Sequence, residues 1–194
     1  QRIAFEEMQA IFSKNENANI LISPKQGSIF NPKTLKLIAD FTEEAWQTPL
    51  SSRVDSVTNF QHTWAEDDDM IVEQLILDAN AIDEPLVQRV QEVALSEPNL
   101  VNRLVDEQGK VALVSITVNL PDGDKTKETA QIVDSIRQLT DKYQSLYPDH
   151  EFHHTGIVFM NAAFESAAKD DAATLVPLMF VVILVVLGVL LRSL

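Results

Sequence analysis

Hydrophobic and polar positions along the 194-residue chain follow two rhythms and then lose rhythm altogether. Ile132, Ile136, Leu139, Tyr143 and Leu146 recur at three and four residues. They predict an amphipathic helix that starts at Asp124 or Thr126 and ends before Pro148. Leu35, Ile38, Phe41 or Thr42, and Ala45 predict a second helix, with Asn31 as N-cap, Pro32 in the first turn and Pro49 beyond its end. Leu86, Val90 and Val93 predict a third, capped by Asp83 and ended by Pro98. A period of two puts Ala112, Val114, Ile116, Val118 and Leu120 on one face of a strand. Apolar or β-favouring runs at Asn19–Ser23, Arg53–Phe60 and Phe152–Phe159 predict three more strands. Asp106-Glu-Gln-Gly109 predicts a hairpin turn between Leu100–Asp106 and Lys110–Leu120, with Gly109 left-handed.

From Ala172 to Leu191 no charge interrupts the apolar residues. About 20 helical residues at ~1.5 Å each match the ~30 Å hydrocarbon core of a bilayer. A buried helix of a soluble domain is rarely apolar on every face for so long. The stretch therefore predicts a membrane span, and the chain before it a domain on one side of that membrane.

The element order is strand, helix, strand, insertion, strand, helix, strand. This is the βαββαβ order of the ferredoxin-like α+β fold, two helices on one face of a four-stranded sheet. The expected organisation is a helix over 1–14, an extracytoplasmic domain over 15–160 with an insertion at about 61–99, a connecting helix over 161–171 and the span over 172–191. Phe5, Met8, Ile11 and Phe12 carry the helical spacing of the first segment, which is expected to continue from an upstream membrane helix. A start inside a helix and a stop three residues after the span lead us to expect a piece of a longer protein.

Composition narrows the function. With 15 basic against 29 acidic residues, the net charge of −14 argues against nucleic acid as a partner and against lying flat on anionic lipid. There is no cysteine, which excludes disulfides, thiolate metal sites and a Cys nucleophile. Only 5 glycines leave little material for a phosphate-binding loop, and no serine-nucleophile motif occurs. No catalytic or cofactor-binding residue is expected. His150, His153 and His154 are considered as metal ligands, but adjacent strand residues point to opposite faces, so a solvated strand start is expected instead. The acidic run Glu66–Asp69 lacks the spacing of a Ca²⁺ loop and is expected to be a solvated loop, as Asp122-Gly-Asp124 is expected to be a turn and cap.

Within the span there is no Asp, Glu, Lys or His, so this helix carries no proton relay of its own. Pro177 is expected to bend its entry and Gly188 to allow close helix packing, with lipid-facing tolerance the alternative for both. Arg192 just beyond the span, against Lys169 before it, leans the C-terminal end toward the cytoplasm by the positive-inside rule, in which Asp170 and Asp171 count little; the resemblance given below carries more of that expectation.

Taken together, Val54-Asp-Ser-Val-Thr-Asn59, Met70-Ile-Val-Glu-Gln-Leu-Ile76, Leu104-Val-Asp-Glu-Gln-Gly-Lys110, Thr155-Gly156, Asp171-Ala-Ala-Thr-Leu-Val-Pro-Leu178 and Leu191-Arg-Ser193 resemble exporters of the resistance-nodulation-division superfamily, especially the branch of MMPL lipid transporters and hopanoid exporters. The resemblance runs from about Asn19 to Leu194. It implies a ferredoxin-like porter domain and second membrane helix of a proton-coupled pump in the bacterial inner membrane, with residues 1–171 periplasmic. The implied partners are the bilayer, a hydrophobic or lipid-like substrate, and the remaining membrane helices and second porter domain of the pump. The rival expectations are a single-span receptor or sensor and a tail-anchored interaction protein, with a tail-anchored enzyme last.

Overall fold

A computed structural model describes residues 16–66, 69–121 and 125–192, without the side chain of Glu66. Its elements run β1 (Glu16–Pro24), α1 (Pro32–Ala45), β2 (Ser51–Asp55), β3 (Gln61–Glu66), β4 (Asp69–Gln74), α2 (Glu84–Ser96), β5 (Ala112–Val118), α3 (Thr126–Leu146), β6 (His150–Thr155) and α4 (Ile157–Arg192). The main sheet has the order β2-β5-β1-β6, and every neighbouring pair is antiparallel. Leaving aside the separate β3–β4 hairpin, this is the ferredoxin-like α+β arrangement.

Alternation decides which face of the sheet is covered. Ala18, Ile20 and Ile22 of β1 and Ala112, Val114, Ile116 and Val118 of β5 are all buried on one face. Leu35, Ile38, Phe41 and Ala45 of α1 and Ile132, Val133, Ile136 and Tyr143 of α3 cover that face. The Phe41 and Tyr143 rings meet edge to face at 5.2 Å, which locks the two helices together. Leu146, in step with this stripe, instead lies 62% exposed at the last turn of α3.

Three predicted strands change shape. The predicted Arg53–Phe60 strand ends at Asp55. There Asn59 turns the chain back: its Oδ1 accepts from Ser56 N at 2.8 Å and its Nδ2 donates to Val54 O at 2.7 Å. The arm predicted at Leu100–Asp106 is a series of turns, with Asn102 left-handed at φ 61 and only isolated bridges at Val101 and Val105. Gly109 does take the left-handed conformation, at φ 63, and a Cβ there would lie 2.5 Å from the Phe30 ring. The predicted Phe152–Phe159 strand stops at Thr155, and α4 begins at Ile157, earlier than the expected start at 161. The expectations for residues 1–14, for Asp67 and Asp68 and for Asp122–Asp124 lie outside the described residues.

Candidate functional site

The strand-to-helix corner at Gly156 joins the sheet to α4. Gly156 has φ 101, a region that favours glycine. A Cβ there would lie 2.6 Å from the carbonyl oxygen of Asn17, a backbone atom that cannot step aside. On the same side Asn17 Oδ1 accepts a hydrogen bond from Ile157 N at 3.2 Å. A strand residue distant in sequence thus supplies the side-chain acceptor that a helix N-terminus needs. Val158, in the first turn of α4, is fully buried, and Ile157, Phe159 and Ala162 pack against the same core.

His154 completes the corner. Its ring stacks on Phe159 with centroids 4.8 Å apart, and its Nε2 lies 2.9 Å from Thr140 Oγ1 of α3. Thr140 Oγ1 also donates to Ile136 O at 2.9 Å, so it accepts from His154 Nε2–H. The network therefore places a proton on Nε2. Burial pushes the His154 pKa down, Arg137 and His153 push it further down, and Asp141 opposes them. The corner thus disfavours the charged imidazolium between α3 and α4.

Of the three histidines, His153 and His154 are exposed as the sequence suggests, and only His150 is withdrawn from solvent. His150 is 2% exposed. Its Nδ1 lies 3.1 Å from Asp149 Oδ1, and its Nε2 lies 2.9 Å from Thr34 Oγ1. Asn31 Nδ2 donates to that same hydroxyl at 2.8 Å while Asn31 Oδ1 accepts from Thr34 N as the N-cap of α1. The threonine hydroxyl proton is then directed at His150 Nε2, and the start of β6 is tied to the cap of α1. Lys33, bonded to Asp149 at 2.5 Å, holds the Asp149 carboxyl down at about 2. His153 points to the other face and is largely exposed. Among the described residues no three His, Cys, Asp or Glu side chains come together as a metal site.

On the face of the sheet away from α1 and α3 lies a cleft of about 320 Å³. Leu21, Leu104, Val105, Val111 and Leu113 line it together with Asn102, Arg103 and Asp106.

Beyond Ala162, α4 leaves the domain. The helix is 36 residues long and unbroken, so it reaches about 54 Å at ~1.5 Å per residue. Its residues from Leu175 to Leu191 are exposed hydrophobics, broken only by Pro177 and Gly188, and it is long and apolar enough to cross a membrane. Pro177 lies inside the helix, where its missing N–H leaves one carbonyl of the preceding turn free. A Cβ at Gly188 would meet no atom within 4 Å. Arg192 is the basic residue of the last turn. The three stand along one helix and form no cluster with the corner.

Pattern reasoning singled out Thr155-Gly156 but passed over Asn17 and Thr140. Asn17 lies in a polar run that signals a break between elements, and nothing local shows that it caps a helix starting at Ile157.

No curated protein matches the chain. The sequence model of the MMPL family matches residues 26–194, which takes in α1 to α4, the Gly156 corner and the apolar helix. With most of its length matched, the chain belongs to the MMPL family, a family of membrane transporters.

Proposed function

We propose that this chain is a porter domain with its second membrane helix, part of a proton-coupled exporter of lipidic or hydrophobic compounds in the bacterial inner membrane. The domain stands on the periplasmic side. The observation that carries the reading is the corner at Gly156. It joins the sheet, α3 and a continuous 36-residue helix without an intervening loop. A pump that alternates access by moving one domain against another needs such a stiff link between domain and membrane. Two further features support the reading. The cleft, largely apolar but lined also by Asn102, Arg103 and Asp106, has room for an acyl chain. The span lacks ionisable residues, so the proton relay belongs to other helices of the pump and this helix transmits motion.

The test is transport by the intact gene product in sealed vesicles. With a proton gradient imposed, a fluorescent single-chain lipid should cross at a rate that falls at least tenfold when Ala167 and Ala168 both become glycine, which softens α4 between domain and span. Transport without a gradient, or unchanged in the glycine variant, would contradict the proposal. Protease added outside oriented inner-membrane vesicles checks the sidedness: cleavage within residues 16–156 is expected only from the periplasmic face.

A further inference from the structure

The β3–β4 hairpin is a two-stranded sheet of its own, and no described residue bonds to either of its outer edges. Leu75 N donates to Phe60 O at 3.0 Å, in the register that sets Gln61 opposite Gln74 and Ala65 opposite Met70. Hydrogen-bonded and non-hydrogen-bonded pairs alternate along an antiparallel ladder. The backbone groups of Met70, Val72 and Gln74 on β4, and of Gln61, Thr63 and Ala65 on β3, therefore point outward. Side chains alternate with the same period, so these six residues also share one face. All six are exposed and none is charged, in a chain of net charge −14.

Strand edges are ordinarily blunted by bulges or charges. At one rim of the main sheet β2 has both: a register shift between Ser51 and Arg53, and the Arg53 guanidinium, paired with Asp55. The outward positions of β4 have neither. Its register is regular, and Met70 is 75% and Val72 49% exposed. The other face of the hairpin rests on α2, where Arg89 Cζ lies 4.4 Å over the Trp64 ring and Ile71, opposite Trp64, is half-buried. On that face Asp69 and Glu73 flank Ile71. Both are exposed, and neither makes an ion pair with a described residue. They stand four strand residues apart, about 13 Å.

We propose that β4 takes up a third strand: an extended segment of another polypeptide, with cationic side chains four residues apart and β-branched residues between them. The backbone of that segment continues the ladder at Met70, Val72 and Gln74. Its apolar side chains pack beside Met70 and Val72, and its cations meet Asp69 and Glu73. Charge selects this occupant. An antiparallel second copy that pairs Met70 with Val72 sets Asp69 opposite Glu73, carboxylate against carboxylate. Anionic lipid meets the same two carboxylates and offers no strand. A third strand also stabilises a hairpin that as two strands is marginal in water. This inference does not depend on what, if anything, the protein exports.

The probe is a dye-labelled peptide, acetyl-Thr-Lys-Val-Thr-Val-Lys-amide, added to the full chain in phosphatidylcholine nanodiscs. Laid antiparallel on β4, it sets its lysines opposite Asp69 and Glu73 and its valines opposite Met70 and Val72. The valine N–H groups then point at β4 and the lysine N–H groups away from it. Fluorescence anisotropy should show saturable binding that empty nanodiscs lack. N-methylation of the two valines should weaken it at least tenfold, and N-methylation of the two lysines less than threefold. Asp69→Lys with Glu73→Lys should also weaken it at least tenfold, and a peptide with glutamate in place of lysine should bind that variant. No saturable binding, or equal losses from the two methylation patterns, would overturn the proposal. Hydrogen exchange in the unaltered chain gives a second readout. Bound peptide should slow the amides of Met70, Val72 and Gln74 and leave those of Gln61, Thr63 and Ala65 unchanged. Protection on β3 alone, or β4 amides already slow before peptide is added, as a second copy on that edge would make them, would also overturn it.

Discussion

Gly156 and Asn17 together fix the corner between β6 and α4. Gly156→Ala adds a methyl group 2.6 Å from a backbone oxygen and keeps a φ of 101 that alanine resists. A loss of about 2–4 kcal/mol is expected, enough to lower the melting temperature of the domain by about 5–15 °C in calorimetry. Asn17→Ala removes only the cap and should cost about 1 kcal/mol. His154 gives a pH dependence of definite sign. Its folded-state pKa is lowered, mainly by burial, so the unfolded chain binds the extra proton first. The associated stability is complete above the unfolded value of about 6.5 and is lost as pH falls through the lowered folded-state value. Urea unfolding followed from pH 8 to pH 5 should show this fall, and His154→Gln should flatten it while keeping a donor to Thr140. A slope unchanged by His154→Gln would place the titration elsewhere.

At the scale of elements, the cap of α1 and the start of β6 act as one unit. Asn31 caps the helix and fixes the Thr34 hydroxyl that faces His150. Asn31→Ala should therefore cost about 2 kcal/mol, above the ~1 kcal/mol of an isolated cap, because a buried hydroxyl also loses its donor. A double-mutant cycle with His150→Phe should show coupling between the two sites; additive losses would mean they are independent. The elements also show what was legible in the sequence. Helices α1, α2 and α3 were visible because apolar spacing and caps at Asn31 and Asp83 agree. Strand β5 was visible because its alternation is strict. The Arg53–Phe60 and Leu100–Asp106 strands failed because β-favouring residues there fold back on themselves through Asn59 and Asn102, which propensity does not register. The Gly156 corner was visible only as a dipeptide. Its partner Asn17 lies on another strand, and a contact of that range leaves no local pattern.

The whole molecule is a ferredoxin-like domain fixed to one end of a long helix whose far end is apolar throughout. Membership of the MMPL family accords with such a chain working in transport. In the proposed transporter the Gly156 corner makes the domain and α4 a single body. The most direct measurement is a distance distribution between spin labels on Gln138→Cys in α3 and Val181→Cys in the apolar part of α4, with the full chain in nanodiscs. A rigid corner predicts one narrow peak, roughly 30–45 Å from the helix rise, which broadens when Gly156 is replaced by Ala. A broad or multiple distribution in the unaltered corner would show that the helix swings freely and would contradict the account.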